Sequence, residues 1–253
     1  MKNIRFQLSR SLWILAFTTF TAFVPQNAFA ASALVSQIQG EVLVQKVGTD
    51  AWGPVTADTV LQNGDSVKTR KGSCALVYSD QATFSVDENT SLTVAERPDA
   101  QDIKLLLGKI KGKVNHQKAE QPFVVTTPAA VATVRGTEVD FAFNELGQLT
   151  VDLHNGQIQV VNDDAELKVD LDGKKSITIQ YDREANVLRI KNGCDSDGAV
   201  SFNILGAEYS ENPCEEKEVA LSTSEQGPTT PGTNNSPATT ENLDEGREPI
   251  SQI

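Results

Sequence analysis

Alternation of apolar and polar residues most restricts what this chain can fold into, and it is plainest within residues 124–143, VVTTPAAVATVRGTEVDFAF. The last six residues carry Val or Phe at every second position, which predicts a strand with one buried face. We interpret the segment as two short strands joined by turns, with Arg135, Gly136 and Thr137 between them. A glycine at this place indicates a close backbone approach that a larger residue would block.

The same pattern extends over residues 31–162, where short runs rich in Val, Leu and Ile alternate with turns. Gly, Asn and Asp mark the turns, as at Asn63-Gly64-Asp65, Lys71-Gly72 and Asn155-Gly156, and another run ends at Gly108. Strands that recur every 8 to 12 residues or so predict an all-β fold, either a sandwich or a short solenoid.

Two further sections follow this domain. Residues 163–220 read as an added β-meander, in which Asp172-Gly173 is a strong signal for a hairpin turn. The small size of this section favours packing against the first one. Residues 221–253 are rich in Pro, Thr, Ser, Asn and Glu, a composition that predicts a disordered tail.

The N-terminus has the pattern of a Sec-type signal peptide in residues 1–30. Lys2, Arg5 and Arg10 precede an apolar run over residues 12–24, and Ala28-Phe29-Ala30 forms a cleavage site. The run is shorter than the roughly 20 residues that span a bilayer. We therefore expect a periplasmic or secreted protein with no membrane span after cleavage.

The negative charge of the chain argues against nucleic acids and membrane surfaces as partners. The formal charge is −12, and it becomes −15 without the first 30 residues, which carry three basic groups and no acid. Such a chain repels phosphate backbones and anionic lipids, so nucleic acids and membrane surfaces are poor candidates.

Three cysteines allow at most one internal disulfide. Cys194 and Cys214 lie in loop-like sequence and can meet most easily, so we expect a bridge between them in an oxidising compartment. Cys74, within the sequence SCALVY, has the pattern of a small buried residue on a strand and is expected to be free.

No residue pattern indicates a catalytic, cofactor-binding or metal-binding site. His116 and His154 are the only histidines and lack converging partners. Acidic clusters at residues 170–173 and 195–198 begin like calcium loops but lack the closing Glu, so turns explain them better. Paired carboxylates for glycoside hydrolysis stay an open alternative, because their separation in space is not visible in a sequence. We predict that the protein is not an enzyme.

The order of turns and strands over residues 35–161 resembles the FecR domain, an extracytoplasmic all-β module of bacteria. The resemblance rests on GDSVKT at residues 64–69, VTTP at 125–128, VRGT at 134–137 and NGQIQV at 155–160. The motif positions that we interpret as structural are Gly64, Asp65, Thr69, Gly72, Pro128, Arg135, Gly136, Thr137 and Gly156.

Three motif side chains carry specific expectations. Asp65 should cap nearby backbone amides, and Thr137 should bond the backbone of its turn. Arg135 should cover a sheet edge or pair with an acidic neighbour. The functional alternative is that Arg135 binds an anionic ligand through its bidentate geometry.

The resemblance implies a non-enzymatic extracytoplasmic binding module without a cofactor, whose partner is a protein or a cell-envelope glycan. The alternative is a component of an envelope signalling or iron-uptake regulatory circuit. Members that signal have a cytoplasmic segment before a membrane helix, whereas only about ten residues precede the apolar run here. Asp80-Gln81-Ala82 also stands where the family has an Asp-Gly turn.

Overall fold

A computed structural model describes residues 33–78, 82–97, 100–115 and 122–221 of the 253-residue chain. All regular secondary structure in these residues is β-strand, which confirms the all-β prediction. No helix in this part of the chain is long and apolar enough to cross a membrane. The predicted signal peptide, the predicted tail beyond residue 221, His116 and the Asp80-Gln81 pair lie outside the described residues.

Sixteen strands make up the described fold. They are β1 (Ala33–Gln45), β2 (Trp52–Pro54), β3 (Val60–Leu61), β4 (Ser66–Val77), β5 (Ala82–Val86), β6 (Ser91–Arg97), β7 (Ala100–Val114), β8 (Phe123–Thr126), β9 (Val131–Phe143), β10 (Gln148–Asn162), β11 (Leu167–Asp172), β12 (Lys175–Asp182), β13 (Val187–Asn192), β14 (Val200–Ile204), β15 (Ala207–Glu211) and β16 (Glu216–Ala220). All pairs are antiparallel except β7 with β8.

The strands form one sheet that is folded over into two layers. Five long strands, β1, β4, β7, β9 and β10, bend and give one half to each layer. Layer 1 joins β3, the first half of β1, the second half of β4, β5, the second halves of β7 and β9, the first half of β10, β12, β13 and β16. Layer 2 joins β2, the other halves of these long strands, β6, β8, β11, β14 and β15.

Glycines lie at the bends. Gly108 in β7, Gly136 in β9 and Gly156 in β10 have φ of +97°, +60° and +103°, a region that other residues enter only at a cost. The expectation of short strands that end near these glycines is therefore wrong. The glycines bend continuous strands, whose two halves then pair with different neighbours.

Each bend also shifts the alternation of buried residues by one position. In β9 the buried positions are Ala132 and Val134 before the bend, but Thr137, Val139 and Phe141 after it. The register with β10 is irregular at the same place. An extra residue at a bend lets both halves of a strand turn their apolar side chains toward one core.

The core lies between the layers. Phe84 of β5 in layer 1 contacts Phe123 of β8 in layer 2, with ring centroids 4.5 Å apart, and Tyr78 meets Phe123 edge-on at 5.0 Å. Two facing layers around a shared core are the arrangement of a sandwich, which is one of the two architectures that the sequence allowed.

The section at residues 163–220 continues the same sheet. β11 pairs with the second half of β10 and β12 with the first half, so β11 and β12 lie in different layers. The predicted hairpin at Asp172-Gly173 is therefore wrong. These residues form a corner that follows the bend of β10, where the Gly173 amide donates to the Gly156 carbonyl at 3.2 Å.

Candidate functional site

A polar groove of about 410 Å³ lies on the outward face of layer 2. Three adjacent strands, β9, β10 and β11, supply its side chains in two rows. In the first row, Arg135 lies opposite Gln157 in the strand register, and Gln157 lies opposite Asp172. In the next row, Thr133, Gln159 and Asp170 are aligned in the same way. Because alternate residues of a strand share a face, both rows point away from the core. We call these six residues the Arg135 groove.

Two of the groove side chains hold each other in place. Gln159 Nε2 donates to Asp170 Oδ1 at 2.7 Å, and Lys168 Nζ lies 3.5 Å from the other Asp170 oxygen. Arg135 is exposed and forms no hydrogen bond or ion pair with the described residues. The expected pairing of Arg135 with an acidic neighbour is not made within the described part of the chain, although Asp170 and Asp172 line the same groove.

The bend next to Arg135 is fixed by close backbone packing. A Cβ on Gly156 would lie 2.5 Å from the Gly136 carbonyl oxygen and 2.6 Å from Thr137 Cγ2. Neither distance is compatible with a normal contact, so glycine is required at residue 156 while the two strands keep this approach. Because Arg135 directly precedes Gly136, the bend determines the position of Arg135 in the groove.

Thr137 does not bond the turn backbone as expected. Its Oγ1 atom is buried and has no hydrogen-bond partner among the described residues. The reason is that this residue lies inside a bent strand, where its hydroxyl is enclosed and its methyl group packs under Gly156.

The Asp65 carboxylate, in the Gly64-Asp65 turn, is fully buried and caps backbone amides as predicted. Asp65 Oδ1 accepts from the Val47 amide at 2.9 Å, and Oδ2 accepts from the Gln62 amide at 2.9 Å and from Lys46 Nζ at 2.7 Å. Burial alone would raise the pKa of this carboxyl group, but these hydrogen bonds outweigh burial and its pKa lies below the ordinary value.

Other motif residues also serve the fold. The buried Thr69 hydroxyl donates to the Asp87 carbonyl at 2.6 Å and accepts from the Thr90 amide at 2.9 Å, which fastens the turn between β5 and β6. A Cβ on Gly72 would lie 2.4 Å from the Gln39 carbonyl oxygen. Pro128 lies in the turn between β8 and β9, which the Thr127 side chain closes.

The cysteines form one bridge in the structure. Cys194 and Cys214 are joined, 20 residues apart, across the segment that carries β14 and β15. Cys74 is free and buried in β4, and burial raises the pKa of its thiol to about 11.

Neither His154 nor the acidic clusters form a candidate metal or catalytic centre among the described residues. His154 is about half exposed and its Nε2 lies 3.4 Å from Asp140 Oδ1. Within the described ranges, no three His, Cys, Asp or Glu residues are grouped so that they could hold a metal ion. Asp170 and Asp172, from the first acidic cluster, line the Arg135 groove instead.

Sequence reasoning identified Arg135 but missed Gln157 and Gln159 as its neighbours. Both belong to the NGQIQV motif, where their alternation with Ile158 and Val160 was the available signal that they share an outward face. Their alignment with Arg135 depends on strand register, which the sequence does not display.

A family model supports the resemblance over part of the chain. Residues 65–159 match the family described as FecR protein, and no curated protein matches the chain. Two crystal structures of a protein assigned as an anti-sigma factor from Parabacteroides distasonis ATCC 8503 are similar, each with 14% identity. The first gives a TM-score of 0.41 over 59% of this chain and 60% of that chain, and the second 0.40 over 58% of each. The match thus spans about three fifths of the length of those structures.

Proposed function

Because residues 65–159 match the FecR protein family, we propose that this chain is a non-enzymatic binding module that acts in the regulation of envelope signalling. The family is regulatory rather than catalytic, which supports the first part of the proposal. The predicted leader supports export to the periplasm or the cell exterior. Its partner there is a cell-envelope glycan that binds in the Arg135 groove.

The observation that carries this proposal is a guanidinium that has no partner among the described residues and lies among amide and carboxylate groups. Arg135 only donates hydrogen bonds, Asp170 and Asp172 only accept them, and Gln157 and Gln159 do both. A ligand that satisfies this set must itself donate and accept at closely spaced positions. Neighbouring sugar hydroxyls have this property.

The two aspartates also decide between a glycan and an anion. An anionic ligand at Arg135 would lie beside both carboxylates, which repel it and offset the attraction of the guanidinium. A neutral hydroxylated ligand avoids this repulsion. The groove is therefore better suited to a sugar than to a phosphate or a free carboxylate.

Binding of soluble glycan fragments from the envelope of the producing cell tests the proposal. Each good hydrogen bond to a charged group contributes about 1.5–3 kcal/mol, so Arg135→Ala should weaken binding about 10-fold or more. Asp172→Asn should also weaken it. Arg70→Ala is the matched control, because Arg70 is an exposed arginine of another strand that pairs only with Glu41 among the described residues.

Equal affinity of the Arg135→Ala and Arg70→Ala variants for the glycan fragments would refute the groove as the site. If instead the wild-type protein captures an envelope protein and Arg135→Ala loses it, the partner is a protein and the glycan assignment is wrong. Circular dichroism of each variant shows whether the fold is retained.

A further inference from the structure

Turns from both layers meet at one margin of the fold. The turn at residues 127–130 contacts the end of β10, where Asn162 Nδ2 donates to the Ala129 carbonyl. The turn at 163–166 is joined to the one at 182–186, where Arg183 bonds Asp164 at 2.6 Å. These two contacts join residues that are 33 and 19 positions apart in the chain.

A groove of about 400 Å³ opens between the turns at residues 127–130, 144–147 and 182–186. We call it the turn groove, and its apolar lining is Pro128, Ala129, Phe143, Leu146 and Tyr181. Phe143 belongs to the core and is 7% exposed, whereas Leu146 is 71% exposed. The groove therefore connects the apolar interior to a leucine that projects into solvent.

The backbone of Leu146 is held in place by side-chain hydrogen bonds. Asn144 Oδ1 accepts from the Leu146 and Gln148 amides, both at 3.0 Å, and Gln180 Nε2 donates to the Leu146 carbonyl at 3.0 Å. A single exposed leucine is ordinary on a protein surface. A leucine whose backbone is held beside an apolar groove is partly preorganised for binding, because little backbone entropy is lost when a partner covers it.

Acidic side chains lie in and around the turn groove. Asp182 and Glu184 line it. The turns at residues 144–147, 163–166 and 182–186 carry six acids in all, Glu145, Asp163, Asp164, Glu166, Asp182 and Glu184. Arg183 is the one base in these described turns, and Asp164 already binds it. The excess of negative charge attracts a basic partner and repels anionic lipids.

We propose that the turn groove binds a protein segment that has an aliphatic or aromatic anchor flanked by lysine or arginine residues. The anchor lies against Leu146 and Phe143, and the basic flanks meet Glu145 and Glu184. This inference goes beyond the glycan proposal, because the residues and the ligand both differ from those of the Arg135 groove.

Fluorescence anisotropy of the labelled peptide KKLFLKK with the whole exported protein tests the inference. Covering a Leu side chain contributes about 1.5–3 kcal/mol, so Leu146→Ser should weaken binding about 10-fold or more. The double variant Glu145→Lys and Glu184→Lys should weaken it as well and should reduce its salt dependence. Leu106→Ser is the matched control, because Leu106 is an exposed leucine, at 51%, in the middle of β7.

Three results would overturn the inference: no binding of KKLFLKK, equal binding of the charge-reversed peptide EELFLEE, or equal losses in the Leu146→Ser and Leu106→Ser variants. Binding to phosphatidylcholine vesicles that Leu146→Ser abolishes would also overturn it, in favour of lipid insertion. Glycan binding should be unchanged by Leu146→Ser, so failure of this inference and failure of the glycan proposal are distinguishable.

Discussion

Replacing Gly156 with Ala should destabilise the protein more than the same replacement at a turn glycine that has open surroundings. The new Cβ would lie 2.5 Å from the Gly136 carbonyl oxygen, a backbone atom that cannot rotate away. Overpacking of this kind costs about 1–3 kcal/mol. A φ of +103° costs a residue with a side chain about 1–3 kcal/mol more. The two effects together predict a loss of about 4 kcal/mol.

Urea denaturation followed by far-ultraviolet circular dichroism measures this loss. Gly147→Ala is the matched control, because Gly147 has a φ of +73° but no atom within 4 Å of the added Cβ. The control should lose only the backbone contribution, about 1–2 kcal/mol. If the two variants agree within about 1 kcal/mol, crowding between β9 and β10 does not fix the bend and the reasoning is refuted.

Three further tests concern Asp65 and the cysteines. Asp65→Asn should lower the free energy of unfolding by about 2 kcal/mol at neutral pH, because a charged acceptor of three hydrogen bonds is lost. Since folding lowers the pKa of Asp65, its contribution is complete above the ordinary value of 3.8 and disappears as the pH falls through the folded-state value; a difference between wild type and variant that persists in strong acid would contradict this. Replacing both Cys194 and Cys214 with Ser should cost about 3 kcal/mol from the lost loop closure, and an unchanged urea midpoint would show otherwise. The thiol of Cys74, with a pKa of about 11, should resist iodoacetamide at mildly alkaline pH until the protein is unfolded in urea, and rapid labelling of the native protein would show that it is accessible.

The all-β fold could be predicted because its signal is local. Period-two alternation, as in Val139, Phe141 and Phe143, follows from one strand having one buried face. The bends could not be predicted in the same way. A reversal of the chain and a bend in a strand both interrupt the alternation at a glycine. They differ only in which strands pair afterwards, and that is decided by distant residues.

One local sign of the bends was nevertheless present in the sequence. Ala132 and Val134 occupy even positions, whereas Val139 and Phe141 occupy odd ones. In β10 the buried residues change from odd positions, such as Leu149, to even positions, such as Ile158. When the alternation of apolar residues shifts by one position at a bend, both halves of a continuous strand can turn their apolar side chains toward the same core. The same two-layer arrangement explains Asp172-Gly173, which follows the bent β10 rather than closing a hairpin.

The two candidate sites show a similar limit and also depend on each other through the fold. Arg135 could be identified from its motif, but its neighbours come from β10 and β11 and required the register. The turn groove has no motif at all, because its lining comes from turns at residues 127–130, 144–147 and 182–186 that only the folded sheet brings together. β9 carries Arg135 in one half and ends at Phe143 in the other. Since the bend at Gly136 fixes the angle between these halves, it also fixes how the two grooves are placed relative to each other. Surface variants such as Arg135→Ala and Leu146→Ser should therefore affect one groove each, whereas Gly156→Ala, which displaces this bend, should weaken binding at both.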